Sequence, residues 1–530
     1  MRALRPIIPL LLMLSGCTAE QAADQSDSAT TALPDLADAG VTMIAGGLAE
    51  GWFTSEQVVQ GYLDRIDALD RAGPRLSAVI EVNPDALDDS RRLDAERAQG
   101  RLRGPLHGIP VLLKDNIDAT GMVNSAGSLA LAEHRPERDA HLVQRLRAAG
   151  AVILGKTNLS EWANFRSTRS ASGWSARGGQ TRNPHVLDRS PCGSSAGSAV
   201  AVAAGLAPLA VGTETNGSVI CPSAVNGVVG IKPTVGRVSR QGIIPISPSQ
   251  DTAGPMATTV ADAAALLVAM AGSDPADPAS DPADRHPLAP LALTAGDSSA
   301  LRGARIGVMR RAMGFHSGVD AIIERAIRTL REAGAEIIDP ADLPTHGQFG
   351  APSFQVLLYE FRPALEAWLE ASAAPVRTLD ALIAFNTREA DTELRWFGQE
   401  LFERAAGMGP LSEEAYRQAH ADARRLAGPE GIDAALAEHR LDALLTPAVA
   451  PAWPIDPVNG DHFLGAGYGA AAVAGYPSIT VPAGDVDGLP VGIVFMAGAW
   501  SEPALIRIAH GFEQAADVRL RPSFRPTLVE

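Results

Sequence analysis

Short apolar runs of strand length alternate with helix-like stretches along the first half of this chain, and that alternation limits its folds more than any other feature. Ala78 to Val82, Ile109 to Leu113, Ala151 to Leu154 and Leu206 to Val211 have the length of buried strands, while His141 to Ala149 carries apolar residues at helical spacing. Interleaving of this kind predicts an α/β fold with a largely covered sheet. Upstream, Thr54 and Gln57 form a capping box ahead of Val58, Tyr62, Leu63, Ile66 and Leu69, which predicts a helix laying one face on the core. Ser195 to Gly205 is dominated by serine and alanine and has no charged face. A helix there belongs inside, where small side chains let neighbouring backbones come close.

Further along, Ser273 to Ala300, containing DPADPASDPAD, reads as a long surface connection. Its aspartates lack the spacing, glycine and closing glutamate of an EF-hand, so no metal is expected. A mostly helical region from about Val319 to Leu436 follows, then a glycine- and valine-rich return, Leu444 to Met496, suited to completing the same sheet. The expectation is one large domain over residues 35–525. With 530 residues, 46% apolar and 20% charged, the chain has the means to bury such a core. A net charge of -16 and the lack of any basic run after the first residues argue against a nucleic-acid partner.

The N-terminus reads as an address. Arg2 and Arg5 precede the apolar run Ile7 to Leu14, and Leu14, Ser15, Gly16 and Cys17 end it in a pattern that resembles a bacterial lipobox. Residues 1–16 are then a signal peptide, Cys17 a lipid-bearing anchor to the membrane, and 17–34 a flexible tether, with export to the bacterial periplasm. An ordinary secretory signal is the alternative. Cys192 and Cys221, the remaining cysteines, sit in glycine- or proline-rich motifs, and small buried thiols are the favoured reading over a single bridge.

Two serines compete for a nucleophile's role. GSSAG, Gly193 to Gly197, has the form of a G-x-S-x-G elbow that would elect Ser195, with His510 in the right chain order for an α/β-hydrolase-like esterase. That elbow needs an apolar strand leading into it, whereas RNPHVLDRSPC is polar and broken by two prolines. Ser218 instead closes the turn TETNGS after a strand-like run. The amides of Thr215, Asn216, Gly217 and Ser218 are placed to converge there as an oxyanion hole.

A serine needs a base, and the lysines supply one. The chain has 45 Lys plus Arg, of which only Lys114, Lys156 and Lys232 are lysines. Arginine serves wherever positive charge suffices, and only lysine can lose its proton. Lys114 ends the apolar run of HGIPVLLKDNID, where burial favours its neutral form. For Lys156 and Lys232 an ion pair or bonds to carbonyls are the expected roles. Pairing with Asp115 would keep Lys114 charged and count against the base role; if Lys114 lies at a strand end, alternation turns Asp115 to the opposite face.

Taken together, GIPVLLKDNID, SPCGSSAGSAVAVAAG, GTETNGS, NGVVGIKPT, AGYPSITVPAG and GLPVG resemble, in order and spacing, the amidase signature family, over about residues 40–515. Within it the chain is most similar to bacterial peptide amidases. The resemblance implies a large mixed twisted sheet covered by helices on both faces, and a Ser-Ser-Lys triad: Ser218 nucleophile, Ser194 bridging serine after a cis Gly193–Ser194 bond, Lys114 base. Ser195 and Thr213 take supporting roles, and neither metal nor organic cofactor is implied. Ile220 and then Cys221 follow where many family members carry an arginine two residues after the nucleophile, which points away from the tRNA-linked amidotransferases. Asn216 replaces a common glycine or acidic residue.

The function expected is hydrolysis of a peptide C-terminal amide through an acyl-enzyme by a protein acting as a monomer. Other small aryl, aliphatic or fatty-acyl amides are rival substrates. A non-catalytic binding lipoprotein on the same fold is the alternative from another class.

Overall fold

A computed structural model describes residues 33–528. The signal segment 1–16, Cys17 and all but the end of the tether lie outside the described residues. In chain order the strands are β1 (Val79–Val82), β2 (Pro110–Lys114), β3 (Val152–Thr157), β4 (Trp174–Ser175), β5 (Gly179–Gln180), β6 (Leu209–Glu214), β7 (Val229–Lys232), β8 (Thr252–Ala257), β9 (Arg305–Val308), β10 (Glu336–Ile338), β11 (Ala443–Pro447), β12 (Ser478–Val486) and β13 (Leu489–Met496). Eleven of them form one sheet in the order β1-β3-β2-β6-β8-β7-β12-β13-β11-β9-β10, and β4 pairs with β5 in a separate ribbon.

The sheet is mixed. β2 runs parallel to β3 and β6, and β9 runs parallel to β10 and β11, while every pairing from β6 to β11 is antiparallel. Both faces are covered, as alternation along β13 shows: Val491, Ile493 and Phe495 join one apolar cluster, Val494 and Met496 another. Helices Val260–Met270, Ser317–Glu332 and Glu502–Ala516 supply Leu266, Ile323 and Ile506 to the first cluster. Helices Ile220–Val225 and Glu414–Ala427 supply Ala224 and Ala423 to the second.

Local sequence explains the elements that frame the site. Helix Ser55–Arg65 starts at the capping box, with Gln57 N donating to Thr54 Oγ1 at 3.1 Å and Thr54 N to Gln57 Oε1 at 2.9 Å. It continues into a wider π-helical turn, Ile66–Arg71. Helix Ala196–Ala203 is buried along its first seven residues. At Gly197 a Cβ would stand 2.3 Å from Ala78 O and 2.6 Å from Asn158 O, so only glycine admits this approach of the helix to its neighbours.

Three details depart from the sequence reading. β10 interrupts the helical region, because three residues on a sheet edge carry too little periodicity to be read. The aspartate-rich connection is partly built in: Pro278–Arg285 forms 3-10 turns, Ser280 is fully buried, and Asp277 chelates Arg240 with contacts of 2.5 and 2.9 Å. The β4–β5 ribbon carries no strand-length run and had no expectation attached to it.

Candidate active site

The strands β3, β2 and β6 are neighbours and parallel, so they end at the same edge of the sheet. Lys114 is the last residue of β2, and Thr213 and Glu214 close β6. Loops that follow the carboxyl ends of parallel strands are where ligands gather in such folds. The chemistry-bearing residues leave the sheet there.

Lys114 is fully buried, and Nζ donates to Ser194 Oγ at 2.7 Å and to Thr213 Oγ1 at 2.8 Å, with Thr213 O accepting at 3.2 Å. Burial pushes its pKa down to about 7, against the opposing charges of Glu214 and Asp251. Asp115, next along the strand, turns to the other side and pairs with Lys156 at 3.2 Å and Arg177 at 3.1 Å. Lys156 also donates to the carbonyls of Ile117 (2.7 Å) and Val123 (3.1 Å), and Lys232 to that of Pro233 (3.0 Å). Burial lowers the pKa of all three lysines, that of Lys232 to about 8. The shift alone therefore selects none of them. Lys114 is set apart by the serine hydroxyl it reaches.

Ser194 follows a cis peptide bond from Gly193. A Cβ on Gly193 would lie 2.1 Å from Ser160 Oγ, and Ser160 N donates to Ser194 O at 3.0 Å, so the turn is seated on the Ser160 segment. Ser195 Oγ is fully buried between the backbone of Thr213, donating to its O (3.0 Å) and accepting from its N (3.1 Å). It has no histidine partner. His510 is held elsewhere, its Nε2 on Thr294 O at 3.0 Å and its Nδ1 3.5 Å from Glu513. The esterase arrangement of Ser195 with His510 is not present.

Ser218 is 9% exposed. Its carbonyl accepts from Ser195 N at 3.1 Å, which brings its turn against Ser194 and Ser195. Its hydroxyl makes no hydrogen bond among the described residues, and none joins it to Ser194 Oγ. The turn itself is folded around Glu214, whose carboxylate accepts from Gly217 N (2.8 Å), Val219 N (2.8 Å) and Ile220 N (3.0 Å). Those last two amides open helix Ile220–Val225, where an anion is favoured.

The expectation for the oxyanion hole needs one correction. Gly217 N is committed to Glu214, so it does not serve as a free donor; no hydrogen bond among the described residues uses the amides of Thr215, Asn216 or Ser218. Gly217 is needed for shape instead. It has φ +87°, and a Cβ there would fall 2.2 Å from the ring of Tyr468. The cysteines need a second correction, since Cys192 and Cys221 form a disulfide with their Cα atoms 6.0 Å apart. The triad implied by the resemblance already brings the two motifs together, and the cysteines that flank its serines meet with them.

Several residues here had no expectation attached. Asn116 Nδ2 donates to Thr213 Oγ1 at 3.0 Å and so orients the threonine beside Lys114. Asp251 accepts from Thr215 Oγ1 (2.6 Å), Ile246 N (2.9 Å) and Ser247 N (2.8 Å), and burial raises its pKa to about 6. Glu214 and Asn116 stand inside motifs already singled out, so the signal was at hand; for Asp251 and Tyr468 it was not.

A cleft of about 650 Å³ runs between Arg138, Arg240 and the end of helix Gly350–Ala371, and touches neither Ser194 nor Ser218. Geometry rather than volume identifies the site. Among the described residues no group of three His, Cys, Asp or Glu side chains is arranged to hold a metal ion.

Comparison with known proteins gives a consistent picture. A family model described as Amidase matches residues 57–506. The crystal structure of native peptide amidase from Stenotrophomonas maltophilia superposes with a TM-score of 0.87 at 55% identity, covering 92% of this chain and 99% of that one. A probable amidase of Arabidopsis thaliana is 40% identical over 97% of both chains. A glutamyl-tRNA(Gln) amidotransferase polypeptide of Salinispora arenicola is 38% identical, over 91% of this chain and 98% of its own.

Proposed function

Since the chain belongs to the amidase family and is an amide hydrolase, we propose that it cleaves carboxamides through an acyl-enzyme on Ser218, with Ser194 and Lys114 as its proton relay. The observation that carries this reading is the 2.7 Å contact between a fully buried Lys114 Nζ and Ser194 Oγ. A neutral amine has two N–H groups and one lone pair. When the ammonium, which donates to all three oxygens, loses its proton, Thr213 O and Oγ1 accept the two remaining N–H groups and the Ser194 contact reverses, with the hydroxyl donating to the lone pair.

In the forward step Ser218 Oγ attacks the carbonyl carbon as its proton passes to Ser194, whose own proton moves to Lys114. The negative oxygen of the tetrahedral adduct faces the turn, where Thr215, Asn216 and Ser218 have amides to offer. Collapse breaks the C–N bond, and the relay runs in reverse to deliver a proton to the departing nitrogen as ammonia. Water then repeats the cycle on the acyl group. Ser195 and Thr213 hold the relay in register, and Glu214 holds the turn.

The substrate class proposed is the C-terminal amide of peptides, supported by the likeness to the peptide amidase of Stenotrophomonas maltophilia. Ile220 supports it too, as an apolar residue packed beside the serine turn. Ammonia release should be fastest from amidated peptides when they are compared with free amino-acid amides, aryl amides and aliphatic amides. A kcat/KM for any of the simple amides that equals or exceeds that for the peptides would sink the assignment. Export and a lipid on Cys17 belong to the same proposal; a labelled fatty acid retained by the wild-type protein and lost in Cys17→Ser is the expected result.

A further inference from the structure

Cys192 stands two residues before Ser194, and Cys221 three residues after Ser218. Both half-cystines are buried, at 5% and 1% exposure, in one apolar cluster with Val186, Ile220 and Val225. Cys192 holds φ +54°, a left-handed conformation that a side-chain-bearing residue keeps only under constraint from its surroundings. Cys221 lies in the first turn of helix Ile220–Val225, its N donating to Gly217 O at 2.8 Å. The bond thus links the backbone on either side of the two serines. Around it the segments are also tied by hydrogen bonds: Asn226 Nδ2 donates to Pro191 O at 2.9 Å, Ser195 N to Ser218 O at 3.1 Å and Asn183 Nδ2 to Val225 O at 2.9 Å, and Ser195 Oγ bridges Thr213 O and N at 3.0 and 3.1 Å.

From this we infer that the Cys192–Cys221 disulfide is a positioning element of the reaction, holding the Ser194 turn against the Ser218 turn so that the oxidised protein is the active form. The inference rests on the reading of Ser218 as nucleophile and Ser194 as relay. Lys114 and Thr213 are anchored in the sheet and keep their places without the bond, and Ser195 ties the first serine turn to Thr213, whereas Ser194 and Ser218 themselves sit on turns outside the sheet, each within three residues of a half-cystine. A relay through two hydroxyls requires both oxygens within hydrogen-bond reach, and a displacement of an ångström costs about 10²-fold in rate. Opening the bond with a water-soluble phosphine is balanced simply. Phosphorus gives two electrons and ends as the phosphine oxide, water supplies that oxygen, and its two protons end on the two sulfurs.

The test begins with peptide mapping of unreduced protein, where a fragment joining Cys192 to Cys221 is expected; two free thiols in active protein would overturn the inference. The C192A/C221A double variant should then lower kcat by about 10- to 100-fold with KM shifted far less, and slow fluorophosphonate labelling of Ser218 in parallel. A double variant that melts earlier yet keeps wild-type kcat overturns the inference and leaves the bond a stability element only. If that variant does not fold, wild-type protein reduced by phosphine in urea below its unfolding transition carries the same test. Its activity should fall, and reoxidation should restore it; unchanged turnover by reduced, folded protein is the contrary result. Failure of the serine reading is distinguishable, because wild-type protein would then take no fluorophosphonate at Ser218 in either redox state.

Discussion

Ser218→Ala is expected to lower kcat by about 10⁴- to 10⁶-fold, the scale seen when a hydrolase loses its nucleophile. The magnitude follows from the mechanism: without Oγ no acyl-enzyme forms, and only binding and the turn's amides remain to favour attack by water. The fold has little reason to respond, since the hydroxyl makes no hydrogen bond among the described residues and the backbone bond from Ser195 N to Ser218 O survives the change. Ammonia release under single-turnover conditions measures the loss, and a melting curve close to wild type assigns it to chemistry. His510→Ala is the paired control and should keep activity, its partners being Thr294 and Glu513 rather than either serine. Activity persisting in the serine variant and vanishing in the histidine variant would reverse the assignment.

Removal of the base should be nearly as severe. Lys114→Met, close to lysine in volume, is expected to lower kcat by about 10²- to 10⁴-fold, the usual worth of a positioned proton acceptor. Lys114→Arg should not recover it, because a guanidinium keeps its proton. The wild-type pH profile should rise through about 7, where the buried amine becomes neutral, and that limb should disappear in the variants. Stability carries the same sign. Between about 7 in the folded protein and the ordinary value of 10.5 in the unfolded chain, the unfolded state binds the extra proton, so Lys114's contribution to stability rises with pH across that window and is lost as pH falls through 7. A rate that is flat from pH 6 to 9 in wild type would remove Lys114 from the relay.

Where the sequence was legible, periodicity or chemistry was concentrated in one stretch. The capping box at Thr54 and Gln57, the strand-length runs that became β1, β2, β3 and β6, and the charge-free helix after Ser195 are each specified by their own residues. The lysine count worked because three exceptions among arginines each marked a buried amine, and alternation along β2 separated Lys114 from Asp115. What escaped depends on chain segments meeting from afar. Asp251 reaches Thr215 across the β6–β8 pairing, Tyr468 reaches Gly217 from 251 residues later, and the two cysteines meet only because the motifs bearing them fold side by side. At Gly217 the difference has a local cause: the glutamate three residues upstream is long enough to return and take its amide.

The order of strands across the sheet also bears on when the serine becomes useful during synthesis. β12 and β13 sit between β7 and β11, and β12 pairs directly with β7. Until residues 478–496 have emerged, β7 therefore presents an open edge. A growing chain thus carries Ser218 for more than two hundred residues before β12 closes the sheet beside β7. Termination ahead of β12 leaves β7 with an unpaired edge, a template for association with other chains.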